Sequence, residues 1–227
     1  MQHSGDYNPD IRIGPGTVMN ARSMKLLWSS RSPFVRKVMV AAHEVGVADR
    51  ISTERVVVAA DKPNANVMAM NPLNKIPTLL LEDGTLLYDS RVICEYLDSL
   101  HDGPKLHPSD QAFRWRVLRR QALGDGLLEI MILRLGEQCR SQETQSESHL
   151  SSYRLKAAAA LDRIEAEGIG LARSPDIGEI AVGCALGYLD FRFAADDWRA
   201  GRPKLSAWYA NFTLRPSMRA TEHIDAY

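Results

Sequence analysis

Cysteine is scarce in this chain: Cys94, Cys139 and Cys184 are the only three in 227 residues. They form no CxxC pair and their number is odd, which argues against a disulfide framework or a cysteine-rich zinc site and makes reduced, structural thiols the expectation. The six histidines, His3, His43, His101, His107, His149 and His223, show no HxH or HxxxH spacing. A metal would need ligands from distant segments, so none is expected. An excess of one charge is lacking too, because Lys+Arg and Asp+Glu both total 28. The balance is local as well as global, with 9 basic and 9 acidic residues over 24–101 and 17 of each over 102–227. Without a positive field, neither nucleic acid nor an anionic membrane is an expected partner. No apolar run approaches the roughly 20 residues of a membrane span, and the N-terminal segment has no apolar signal core. The expected location is cytoplasmic.

What is present is an ordinary globular composition, 45% hydrophobic and 25% charged, long enough for one or two cores. Residues 1–23 carry Gly5, Asn8, Pro9, Gly14, Pro15, Gly16 and Asn20 without apolar period, which reads as a flexible leader or tag. The apolar run from Lys25 to Ser30 then reads as a strand, and Ser32-Pro33 opens a helix whose apolar positions Val35, Val38, Met39, Ala42 and Val45 recur three and four apart until Gly46. A β-branched run from Ile51 to Val58 reads as a second strand, followed by the polar stretch Asp61 to Asn66. Asp83-Gly84 between the apolar runs Pro77–Leu81 and Thr85–Tyr88 signals a hairpin. Asp89-Ser90 then falls where a helix cap is wanted, before Val92, Ile93, Tyr96, Leu97 and Leu100.

Turn chemistry over 102–108 marks a linker, and beyond it only helical periods appear. One long segment carries Phe113, Val117, Leu118, Leu123, Leu127 and Met131, and a second carries Leu150, Tyr153, Ala157, Leu161 and Ile164. A third runs from Ile177 to Phe193 behind Asp176-Ile-Gly-Glu179, which has the form of a capping box. A fourth spans about Lys204 to Phe212. The expected organisation is an α/β domain over 24–101, a linker over 102–108 and an all-α domain over 109–227.

This order, and the text within it, resembles the cytosolic glutathione transferases. Four passages carry the resemblance: Trp28-Ser-Ser-Arg-Ser-Pro-Phe-Val-Arg-Lys37, Asn71-Pro-Leu-Asn-Lys-Ile-Pro-Thr78, Tyr88-Asp-Ser-Arg-Val-Ile-Cys-Glu-Tyr-Leu97, and the segment Asp176 to Phe191. The resemblance implies a thioredoxin-like N-terminal domain joined to a helical bundle, a homodimer, and glutathione as co-substrate with no metal. It is similar to bacterial serine-type members, whose hydroxyl at a helix N-terminus stabilises the glutathione thiolate for attack on small hydrophobic electrophiles, a detoxifying reaction. Ser32 is the implied catalytic residue, with Ser30 and Ser29 as alternates in the same loop. A hydroxyl donor and helix-end N–H groups lower a thiol's pKa from about 8.5 by favouring its charged form.

By the same resemblance Ile76, before a cis Pro77, offers its backbone to the tripeptide. Ser90 and nearby N–H groups take the γ-glutamyl carboxylate, and Asp89 takes the α-amino group. Lys62, Lys75 and Phe34 complete the implied glutathione-binding set. The aromatic residues Phe34, Trp115, Tyr188 and Trp198 are read as core or interdomain packing that could also line the electrophile pocket. Two other readings stay open: a non-catalytic ligand-binding or interaction module, and a glutathione-dependent thiol transferase or reductase. The second wants a cysteine where Ser32 stands.

Overall fold

The computed structural model describes residues 24–170 and 173–225, so the expectation for a leader over 1–23 lies outside the described residues. The first half is built from β1 (Met24–Trp28), α1 (Pro33–Glu44), β2 (Ile51–Arg55), the one-turn helix α2 (Ala65–Met68), β3 (Thr78–Leu80), β4 (Leu86–Leu87) and α3 (Ser90–Ser99). The strands form one mixed sheet in the order β2-β1-β3-β4, with β1 parallel to β2 and antiparallel to β3, and β3 antiparallel to β4. This is the thioredoxin-like arrangement expected from the sequence. Leu26 and Leu79, paired across β1 and β3, share one face of the sheet and Leu27 points to the other; all three are buried in a core that also takes in Val35, Val38 and Ala41 of α1 and Ile93 and Leu97 of α3. Burying such side chains is the main stabilising term, at about 25 cal/mol per Å² of apolar surface.

Local sequence accounts for the element ends. Gly84, at φ 87°, turns the β3–β4 hairpin, and the Asp83 carboxylate accepts the Thr85 N–H at 2.8 Å. Gly46, at φ 74°, stands just past α1. β2 stops at Arg55, three residues short of the Val58 expected from its β-branched run, and the polar stretch after it contains α2, which has too few residues to show a period.

The second half is helical: α4 (Gln111–Gln138), α5 (Glu147–Glu167), α6 (Ile177–Arg192), α7 (Pro203–Phe212) and α8 (Pro216–Ala220). α6 is buried from Ile177 through Leu189, as a helix apolar on every side must be. Its Asp176–Glu179 capping box is complete, each side chain accepting the other residue's backbone N–H at 2.8 Å. Helix α4 crosses α6 at Gly124, where a Cβ would stand 2.8 Å from the Ala181 carbonyl carbon and the Val182 nitrogen. Only glycine allows that approach.

Tyr188 and Trp198 are buried as expected, but Trp115 is 65% exposed. The packing expected of Trp115 is therefore corrected. Residues 117, 121, 124, 128 and 131 form the buried stripe of α4, and two residues of helix rotate a side chain by about 200°, away from it. Among the described residues, no helix is long and apolar enough to cross a membrane.

Candidate functional site

The sheet register brings the sequence motifs to one end. Leu27 of β1 lies opposite Thr78 of β3, so the loop after Trp28 adjoins Ile76 and Pro77 just before β3. Leu79 lies opposite Leu87, which sets Tyr88-Asp89 at that same end. β2 runs parallel to β1 with Arg55 beside Trp28, and the Val56 N–H bonds the Trp28 carbonyl at 3.0 Å, so the segment leading to Lys62 leaves from there too.

In the first of these loops Ser32 is the N-cap of α1, at φ −82° and ψ 118°, with Pro33 behind it at the first helical position. Its oxygen accepts the Val35 N–H at 3.3 Å, and its own proton has no acceptor among the described residues. Ser29 Oγ accepts the Arg31 N–H at 3.3 Å. Ser30 differs, because its hydroxyl donates to the Ile224 carbonyl at 2.8 Å. Among the described residues, only the Ser30 hydroxyl of the three has an acceptor for its proton. Phe34 is the second residue of α1, with the Lys37 ammonium 5.8 Å from its ring centroid.

The Ile76–Pro77 bond is cis, and Ile76 makes no backbone hydrogen bond among the described residues. Asn71, almost fully buried, shapes this loop: its amide donates to the Lys75 carbonyl at 3.0 Å and to Thr78 Oγ1 at 3.1 Å, while its oxygen accepts the Leu73 N–H at 3.1 Å. Asn74, at φ 52°, accepts the Asn64 N–H at 3.0 Å. The Lys62 and Lys75 side chains are exposed, and neither ammonium has an ion-pair partner among the described residues.

Asp89 caps α3 by accepting the Arg91 N–H at 2.8 Å, and the Tyr88–Asp89 bond is also cis. Ser90 is 2% exposed, yet its hydroxyl makes no hydrogen bond among the described residues.

Beneath the α3 N-terminus lies a group that local patterning does not reveal. Lys37 of α1 is fully buried and donates to Asp125 of α4 at 2.6 Å, and Arg91 Nε donates to the other oxygen of Asp125 at 2.9 Å. The triad holds α1, α3 and α4 together. A lysine on the buried face of α1 was the available signal, since a buried cation requires a carboxylate somewhere. Burial pushes Cys94 up to about 12 and Cys184 up to about 11, leaving both as inert thiols. No cluster of metal-ligating side chains occurs among the described residues.

Comparison with known proteins identifies the family. Residues 31–100 match the glutathione S-transferase N-terminal domain family, and residues 147–211 match the C-terminal domain family. The chain is 35% identical over 202 residues to an uncharacterized GST-like protein, YibF, of Escherichia coli, covering 88% of this chain and 98% of that one. A glutathione transferase family member from Pseudomonas fluorescens, solved with bound glutathione, superposes with a TM-score of 0.86 at 44% identity, over 89% of this chain and all of the other. A glutathione S-transferase from Methylobacillus flagellatus, also with glutathione bound, gives 0.79 at 36% identity, over 89% and 100% of the two chains. The chain belongs to the glutathione transferase family.

Proposed function

We propose that the protein is a cytoplasmic, serine-type glutathione transferase that joins the glutathione thiolate to small hydrophobic electrophiles, in the manner of a detoxifying enzyme. The observation that carries this reading is the state of Ser32: its oxygen is anchored by the Val35 N–H, so its remaining proton points its bonding capacity at whatever lies before the α1 N-terminus. A thiolate there receives that hydrogen bond together with the partial positive charge of the helix end. Proximity then does the rest, since a bound nucleophile beside a bound electrophile needs no further activation.

The tripeptide is held along the sheet end. Ile76 supplies a backbone N–H and C=O, Ser90 and the first N–H groups of α3 take the γ-glutamyl carboxylate, and Asp89 takes the α-amino group. Lys62 and Lys75 are in reach of the glycyl carboxylate, and Phe34 flanks the sulfur side. Glutathione bound in the Pseudomonas fluorescens and Methylobacillus flagellatus structures supports this ligand. The reading also has the chain act as a homodimer. Val92 and Trp115 are exposed on neighbouring helices that the Arg114–Glu95 ion pair, 3.0 Å, ties together, and a second copy would cover them.

The test is the pH dependence of turnover with a generic aryl halide for the wild type and for Ser29→Ala, Ser30→Ala and Ser32→Ala. Loss of the true donor lowers turnover by about 10²–10³ and raises the apparent pKa of the bound thiol toward its free value of about 8.5. A shift in Ser30→Ala or Ser29→Ala with none in Ser32→Ala moves the assignment to that serine. No shift in any variant removes the serine mechanism.

A further inference from the structure

Residues 223–225 return from the end of α8 to the loop between β1 and α1, and each of them bonds to it. His223 Nδ1 lies 3.1 Å from the Ser30 carbonyl oxygen, and because a carbonyl can only accept, Nδ1 carries the proton. Burial first, then the positive charge of Arg36 on α1 and Arg192 on α6, push His223 down to about 4 against the pull of the Ser30 bond, so the ring is neutral at pH 7. Its Nε2 is buried without a partner among the described residues. The ring stacks on Phe191, centroids 4.8 Å apart and planes 11° apart, and meets Tyr188 edge-on at 5.5 Å.

Ile224 offers the carbonyl that takes the Ser30 proton at 2.8 Å. Asp225 receives both terminal nitrogens of Arg192, at 3.2 and 3.0 Å, and lies 2.8 Å from Arg31 Nε, while the Asp225 carbonyl accepts from Arg31 Nη2 at 3.0 Å. The bond from Arg192, reinforced by its charge and that of Arg31, holds the Asp225 carboxyl below its ordinary range.

Ile224, 57% exposed, adds little apolar burial to the segment, whose packing comes from the His223 ring. Within the loop, the Ser32 N–H reaches the Ser29 carbonyl at 3.2 Å and the Arg31 N–H reaches Ser29 Oγ at 3.3 Å, and Ser32 also accepts from the Val35 and Arg36 N–H groups of α1. Apart from the His223 ring and the Asp225–Arg192 pair, which hold this strap on α6, its bonds go to that one loop.

We propose that His223 and Asp225 are positioning residues for the thiolate-stabilising loop: they tie the Ser29–Ser32 turn to the end of α6, draw the Ser30 hydroxyl onto the strap, and leave the Ser32 proton for the sulfur. The proposal rests on the transferase reading above and adds to it a specific role for residues at the far end of the chain. Neither residue belongs to the proposed glutathione-binding set. They act through Ser30 and Arg31, and displacement of a donor by about 1 Å is enough to cost up to 10²-fold in rate.

The experiment uses the full chain with His223→Phe, which keeps the ring on Phe191 and removes the Nδ1 proton, and Asp225→Asn, which releases the charge pairing with Arg31 and Arg192. Three quantities are read: amide hydrogen exchange over residues 29–35, glutathione affinity, and the apparent pKa of the bound thiol with turnover. The expected result is faster exchange at Arg31 and Ser32, a thiol pKa raised toward about 8.5, turnover lower by roughly 10–100-fold, and a glutathione KM within about threefold of wild type. Unchanged exchange and unchanged thiol pKa, with only a lower melting temperature, would overturn the proposal and leave the strap a structural tie. Failure of the transferase reading is separately visible in the wild type, as glutathione bound with its thiol at the free pKa. In that case the proposal is overturned with it, since there is no stabilised thiolate for the strap to serve.

Discussion

The end of the sheet and the α4–α6 crossing differ in how far they pair their polar groups, although Gln121 Nε2 on the buried stripe of α4 also has no partner among the described residues. At the crossing, Asp176 and Glu179 satisfy each other's backbone, Asp125 meets two cations, and Gly124 lets two backbones touch. At the sheet end, the Ser32 proton, the Ser90 hydroxyl and the Ile76 backbone have no partner among the described residues. Folding normally pairs buried hydrogen-bonding groups, since leaving one unmet costs about 1–3 kcal/mol. Under the proposed function, the unmet groups that strand register gathers at one end of the sheet are the ones a ligand would pair, and the crossing with its Asp125 triad holds that end in place.

The sharpest break of this contrast is at Asp125. Asp125→Asn leaves Lys37 buried with no counter-charge, and urea unfolding should show a loss of about 3–5 kcal/mol. A loss under 1 kcal/mol would mean that the triad is not a structural tie between α1, α3 and α4.

Glu179 gives a smaller, pH-graded effect. Burial first, then the neighbouring Asp176 charge, raise its carboxyl to about 7, while the Asp176 N–H and the charges of Arg120 and Arg215 oppose this. An acid whose folded pKa lies above its unfolded value contributes stability that is full below the unfolded pKa and is lost as pH rises through the folded one. The wild type should therefore lose stability relative to Glu179→Gln as pH rises from about 4.5 to 7, measured by unfolding at a series of pH values. Parallel curves for the two proteins would contradict the assignment.

The smallest effect is at Asp176. Asp176→Ala removes one half of the capping box and should cost about 1 kcal/mol by thermal unfolding, with glutathione affinity unchanged. Lower affinity at an unchanged melting temperature would place the box in the binding machinery instead.

How much of this the sequence discloses depends on the distance over which a feature is determined. The Asp83-Gly84 hairpin, the Ser32 and Asp89 caps and the Asp176–Glu179 box are settled within four residues, and all were readable. Glycine at φ > 0 and a side chain reaching its own helix leave signatures in the local text. The outward face of Trp115 was not readable, because several faces of a 28-residue helix carry apolar residues and only docking against α6 selects one. The Lys37–Asp125 and Arg91–Asp125 bonds span 88 and 34 residues, and the strap closes over 193 and 194. Such pairings depend on how the two halves pack, and no period or motif encodes them. The candidate site was readable as residue types in loops; that strand register gathers those loops at one end required the structure.

The central claim, that the unpaired groups at the sheet end are a glutathione site in which anchoring and thiolate stabilisation fall to different residues, is tested most directly by calorimetric titration of glutathione into the wild type, Ser90→Ala and Ser32→Ala. The account predicts binding by the wild type, a loss of about 10-fold or more in Ser90→Ala where a charge-assisted anchor is removed, and a change within about threefold in Ser32→Ala. No binding by the wild type, or a Ser90→Ala protein that binds as tightly as the wild type, would contradict it.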